Sequence, residues 1–247
     1  MKLILNPAFE SLRAFVESVP DIFENEGNTI YKGRNEIKVI RVEDADINVK
    51  RYKVPMLFNR FVYTFFRKSK GLRAFTYPQQ ILEKGFETPN PIAYIEMKKW
   101  GLIHCSFFIS VQSPYTHSFY EFGNAHIDDC KEVAIAFARF TAQLHDSSIY
   151  HKDYSPGNIL FEKIDGEYHF SLVDINRMSF GKVDIEKGCA NFARLWGQTD
   201  FFMLIAEEYA KARGFNQEEC IRLVLKARNK FWTKFKRKRT VEFNLDI

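Results

Sequence analysis

Residues Ile149–Phe161 read IYHKDYSPGNILF. A His, an Asp and an Asn stand within eight residues, on a turn rich in Pro and Gly, between two apolar runs. Asp153 and Asn158 are five residues apart, and Pro156 and Gly157 hold the loop between them. Sixteen residues after Asn158 comes Asp174, at the end of the apolar run HFSLVD, so its carboxylate is expected at the exit of a buried strand. Phosphoryl transfer needs such a set. One carboxylate orients the attacking hydroxyl, and hard oxygen ligands hold Mg²⁺ on the nucleotide phosphates. Asp153 suits the first task. Asn158 and Asp174 suit the second.

Working outward, the spacing HKDYSPGN matches the H-x-D-x-x-x-x-N catalytic loop of kinases, and VDIN stands where their D-F-G segment would. The approach QLHDSSIYHKD is also similar to that superfamily, and INVK (47–50) resembles its third strand, with Lys50 as the lysine that pairs the nucleotide phosphates. Four elements in the right order are a specific signal, where any one alone would be weak.

A closer resemblance is to the lipopolysaccharide kinase family of Kdo and heptose kinases. VKRYK around Lys50, ILEKGFETPNPIAY (81–94), LVDINR (172–177) and NFARL (191–195) carry it, the last standing in the place of the A-P-E segment. The resemblance spans most of the chain, to about residue 200. It implies an α+β, bilobed, protein-kinase-like fold: an N-lobe (1–112) of antiparallel sheet plus helix, and a mainly helical C-lobe (113–247). It also implies ATP and Mg²⁺ as cofactors, and a sugar hydroxyl on a lipid-linked acceptor at the inner face of the inner membrane. Two departures accompany it. The helix Glu that pairs the strand lysine in kinases falls, by counting, on Thr76. The glycine-rich phosphate loop is reduced to Gly27 and Gly33. The alternatives are another small-molecule or protein kinase, and a pseudokinase that binds without turnover.

Composition is close to that of an ordinary soluble globular protein. The chain has 247 residues, 46% hydrophobic and 27% charged, which suits one large domain or two lobes. No apolar run reaches the length of a membrane span, and Glu10 interrupts the N-terminal apolar run too early for a secretory signal. The four cysteines are widely spaced with no C-x-x-C pair, so reduced thiols in a cytoplasmic protein are expected rather than zinc or redox motifs.

Net charge is +5, yet Lys226–Arg239 (KARNKFWTKFKRKR) holds eight basic residues and no acid, leaving the remainder at about −3. The interleaved Phe231, Trp232 and Phe235 suit an anionic membrane surface or glycolipid, and nucleic acid is the weaker reading. Peripheral attachment follows as the expected location.

Local patterns predict strands in NTIYKGRNEIKVIRV, DINVKRYKV and IAYIEMKKWGLIHCSFFISVQ, the last pair joined at Trp100-Gly101. Phe58, Phe61, Val62, Phe65 and Phe66 predict an amphipathic helix flanked by Arg60, Arg67, Lys68 and Lys70. Gly71 is expected to interrupt it, and Pro78 to sit near a start or kink. Asp129 and Glu132 have capping-box spacing ahead of a helix whose buried face is Val133, Phe137, Phe140 and Leu144. His151 is expected to orient the loop by packing and backbone hydrogen bonding. His145 is expected to be structural.

Overall fold

The computed structural model describes residues 1–54, 56, 58, 61, 62, 64 and 69–247. Of the expected aromatic helix, Phe65 and Phe66, and the flanking Arg60, Arg67 and Lys68, lie outside the described residues. The chain forms two compact units. The first comprises Met1–Glu83 and Thr88–Pro114, and the second Lys84–Glu87 and Tyr115–Ile247.

The first unit is built on a six-stranded antiparallel sheet. Its strands are β1 (Lys2–Leu5), β2 (Asn28–Lys32), β3 (Glu36–Val42), β4 (Ala45–Tyr52), β5 (Pro91–Lys99) and β6 (Leu102–Val111), in the order β1-β5-β6-β4-β3-β2. The β5–β6 hairpin turns on Trp100 and Gly101, both at positive φ, which is what a two-residue turn matched to strand twist requires. Alternation along each strand divides the residues between two faces. Ile47, Val49, Ile95, Phe107 and Ile109 pack with Val16 and Val19 of a helix, α1 (Arg13–Ile22), and with Phe23, which caps its C-terminal end. Helix α1 is an addition to the sequence reading, although Val16, Val19 and Phe23 have helical spacing.

On the opposite face stand Lys50, Tyr52 and Tyr94, under α2 (Lys70–Leu82). Gly71 does not interrupt a helix here. It is the second residue of α2, and a Cβ at that position would lie 2.7 Å from the Tyr94 ring and 3.3 Å from that of Tyr52. Glycine therefore permits close approach of helix to sheet. Pro78 is likewise inside α2 and buried, rather than at a start.

The second unit carries α3 (Ile127–Asp146), α4 (Ile185–Asn191), α5 (Thr199–Arg213) and α6 (Gln217–Lys236). Beside them lie two small antiparallel sheets. One has the order β10-β9-β7, with β7 at His117–Ser118, β9 at Ile159–Ile164 and β10 at Glu167–Leu172. The other pairs β8 (Ile149–His151) with β11 (Met178–Phe180). Rings fill the core: Phe119 and Phe137 have centroids 4.2 Å apart, and Phe140 and Phe170 5.0 Å. The start of α3 differs from expectation. Its cap is His126, whose Nδ1 accepts from the Asp128 amide at 3.4 Å, and Asp128 and Asp129 lie within the first turn. Acids there are favoured by the helix dipole, so the helix begins earlier than the Asp129 spacing suggested.

This is the mixed architecture expected from the sequence: antiparallel sheet with helices in the first part, helices around small sheets in the second.

Candidate active site

Two loops of the second unit run side by side and are fastened at both ends. At one end β8 pairs with β11, with Met178 opposite His151. At the other β9 pairs with β10, with Leu172 opposite Ile159. Between these clamps lie residues 152–158 and 173–177, which contain Asp153, Asn158 and Asp174. Their approach follows from local sequence: β-branched and aromatic strand residues on both sides, and a Pro-Gly turn that closes the first loop.

Backbone and side-chain hydrogen bonds then tie the loops to each other. The Val173 amide donates to the Asn158 carbonyl at 3.0 Å, and the Lys152 amide to the Arg177 carbonyl at 3.3 Å. The imidazole of His151 spans the gap. Its Nδ1 accepts from the Asp153 amide at 3.0 Å, so Nε2 carries the proton and donates to the Val173 carbonyl at 3.1 Å. Burial pushes the pKa of His151 down, opposed by its bond to Val173 and by the negative charge of Asp174 and Asp153. A fully buried ring with both nitrogens committed to backbone is a brace, not a general base.

Asn158 donates its Nδ2 to the Asp153 carbonyl at 2.7 Å. That bond turns the carboxamide oxygen, an atom of hard-ligand type, away from the carbonyl. Asp174 occupies the left-handed region at φ 50°, ψ 42°, which Asp tolerates better than most residues. Its Oδ1 accepts from Nδ2 of Asn176, and the buried Oδ1 of Asn176 has no hydrogen-bond partner. An unpartnered buried oxygen beside a carboxylate, with the Asn158 amide on the facing loop, is donor chemistry suited to a hard divalent cation. Among the described residues no cluster of three His, Cys, Asp or Glu exists that could hold a metal without such help from amide and phosphate oxygens.

The carboxylate of Asp153 is held from two sides. Arg177 Nη1 donates to Oδ2 at 3.2 Å, and Arg194 Nη1 pairs with Oδ1. Arg194 comes from NFARL, and its guanidinium also lies over the Phe231 ring, 5.6 Å from the centroid. Asn191, three residues earlier, donates Nδ2 to the His151 carbonyl at 2.9 Å. Its Oδ1 accepts from His145 Nε2 at 3.0 Å. His145 Nδ1 accepts in turn from the Tyr209 hydroxyl at 2.9 Å, which accepts from Arg213 at 2.7 Å. This buried relay supports the strand that leads into the Asp153 loop. The roles of Arg177, Arg194, Asn191, Tyr209 and Arg213 were not read from sequence. The spacing of Asn191 and Arg194 within an otherwise apolar NFARL, one helical turn apart, is the signal that would have found two of them.

Lys50 belongs to the first unit. It is 8% exposed, on the sheet face that α2 covers, with its ammonium 5.4 Å from the centroid of the Tyr52 ring. Thr76 lies within α2, its hydroxyl buried without a partner, and Glu83 at the end of that helix accepts from Gln79 at 3.0 Å. The basic segment is not one uniform face. Arg228 is fully buried, donating to the Gly197 carbonyl at 3.0 Å and pairing with Asp246.

Comparison with known proteins adds the following. The model of the lipopolysaccharide kinase (Kdo/WaaP) family matches residues 31–195, about two thirds of the chain. No curated protein matches it. Among solved structures the chain is similar to WaaP in complex with acyl carrier protein, with a TM-score of 0.59 and 15% identity over 96% of this chain and 98% of that one. At that identity the likeness is one of fold.

Proposed function

Because the chain belongs to the lipopolysaccharide kinase (Kdo/WaaP) family, and is therefore a kinase, we propose that it moves the γ-phosphoryl group of ATP to a sugar hydroxyl of a lipopolysaccharide core. The observation that carries this reading is the fastening of the Asp153 loop to the Asp174 loop through His151 and Asn158. Asp153 orients the acceptor hydroxyl for in-line attack and takes its proton. Asn158 and Asp174 would hold Mg²⁺ through their oxygens, with Asn176 behind Asp174. When bound, the metal would neutralise charge on the phosphoryl oxygens. Lys50 is the cation for the α- and β-phosphates. Rigid loops matter here because a catalytic carboxylate that is already in place costs no reorganisation at the moment of transfer.

The enzyme works at a membrane surface in this reading, held peripherally. Among the described residues no helix is long and apolar enough to cross a membrane. The exposed Lys236, Arg237, Lys238 and Arg239 supply a cationic end that suits anionic lipid.

Radiolabelled phosphate transfer from ATP to a rough-type lipopolysaccharide extract tests the proposal. Asp153→Ala should abolish transfer and spare nucleotide binding, whereas Asp174→Ala should weaken Mg²⁺-dependent nucleotide binding. Transfer that persists in both variants would refute the assignment.

A further inference from the structure

A groove of about 550 Å³ lies along α6 in the second unit, walled on its other side by the segment from Glu186 to Ala193. Lys226, Lys230 and Lys234 line it, each four residues after the last, so their side chains leave one face of α6 about 6 Å apart along its axis. Small and apolar side chains, Ala193 among them, leave the floor open. Glu186 supplies the only acidic side chain in the lining.

Three ammonium groups in a row along a concave surface repel each other unless an anion lies among them. The groove also has a direction. Phe231 lines it, the Arg194 guanidinium lies over the Phe231 ring, and Arg194 is ion-paired with Asp153. Phe231 and Arg194 thus link one wall of the groove to the carboxylate proposed to receive the acceptor hydroxyl. We propose that this groove is the acceptor subsite. In it Lys226, Lys230 and Lys234 hold an anionic substituent, phosphate or carboxylate, on the sugar chain of the acceptor while a neighbouring hydroxyl is presented to Asp153. The inference rests on the kinase reading above and adds the charge of the substrate. Lysine suits the task because it meets an oxyanion as a mobile point charge and tolerates variation in where along the chain that charge sits.

A binding measurement separates this proposal from the kinase reading, since it needs no turnover. Fluorescently labelled core oligosaccharide, freed of its lipid, is titrated by anisotropy into the wild type and into a Lys226→Gln, Lys230→Gln, Lys234→Gln variant. Two forms are used, one bearing its phosphates and one dephosphorylated so that only carboxylates remain. Vesicles of phosphatidylethanolamine and phosphatidylglycerol form a third arm. The expected result is a loss of about tenfold or more for at least one oligosaccharide form, with wild-type affinity falling toward that of the variant in high salt. Which form responds identifies phosphate or carboxylate. Equal binding by both proteins, no oligosaccharide binding by the wild type, or a loss confined to vesicles overturns the proposal. Phosphate transfer by the wild type judges the kinase reading separately.

Discussion

The side-chain amide of Asn191 donates to the backbone carbonyl of His151 at 2.9 Å, across forty residues of sequence. That bond joins the end of α4 to the strand that launches the Asp153 loop. It is also the last link of a buried chain running from Arg213 through Tyr209 and His145. Asn191→Ala would leave the His151 carbonyl and the His145 Nε2–H unsatisfied. Each buried orphan costs about 1–3 kcal/mol, and urea unfolding should show a loss near the sum. Asn191→Asp keeps an acceptor for His145 but sets a buried carboxylate against the His151 carbonyl, so it should also destabilise.

Acid should unfold this protein through its histidines. Burial holds His145 at a pKa of about 4, below its ordinary 6.5, with the nearby Arg213 and Lys187 acting in the same direction and the bond to Asn191 opposing. His151 is shifted the same way, by burial. A histidine lowered in the folded state takes up its proton more readily in the unfolded chain. Its contribution is therefore complete above pH 6.5 and is lost as pH falls toward 4. For His145 this amounts to roughly 3 kcal/mol. Urea midpoints between pH 7.5 and 4.5 should fall steeply for the wild type and less steeply for His145→Asn.

Gly188 is a packing requirement of the same relay. A Cβ there would collide with the Tyr209 hydroxyl and come within 3.4 Å of His145 Nδ1. Gly188→Ala should destabilise by about 1–3 kcal/mol. Combined with Tyr209→Phe, which removes the obstructing oxygen, the losses should be less than additive in a double-mutant cycle.

Arg194 is expected to act through Asp153. Arg194→Ala leaves Arg177 as the remaining cation of the pair described around that carboxylate. Turnover should drop by about tenfold or more with nucleotide affinity unchanged, corresponding to at least about 1.4 kcal/mol of transition-state stabilisation. Arg194→Lys should not restore it, because an ammonium lacks the planar guanidinium that meets both the Phe231 ring and the carboxylate. Single-turnover kinetics with saturating ATP would measure this.

Arg228 is the exception within the basic segment. Its guanidinium is fully buried over the Phe202 ring and bonded to Gly197 and Asp246. Arg228→Ala strands the partly exposed Asp246 and empties a core site, and should cost about 3–5 kcal/mol by thermal or urea unfolding. Lys230→Ala, on the exposed side of the same helix, should stay within about 0.5 kcal/mol.

Local order in the chain was enough to read the Asp153–Asn158 spacing, the strand that delivers Asp174 and the Trp100-Gly101 hairpin. Each depends on neighbours a few residues apart, where backbone sterics and side-chain alternation act directly. Helix α1, the place of Gly71 and the cap of α3 were not read this way. Packing against a distant sheet, or a choice among several nearby caps, settled those.

What the sequence by itself determined is the chemistry on offer: carboxylates and an amide at kinase spacing, in an architecture of sheet followed by helices. Only the tertiary structure decided that Asn191 and Arg194 reach back to the Asp153 loop, and that one of eight clustered basic residues is core while three line a groove. The reason is physical. Hydrogen bonds and ion pairs are made between atoms close in space, and residues 40, 41 or 18 positions apart meet only once hydrophobic packing has chosen the fold.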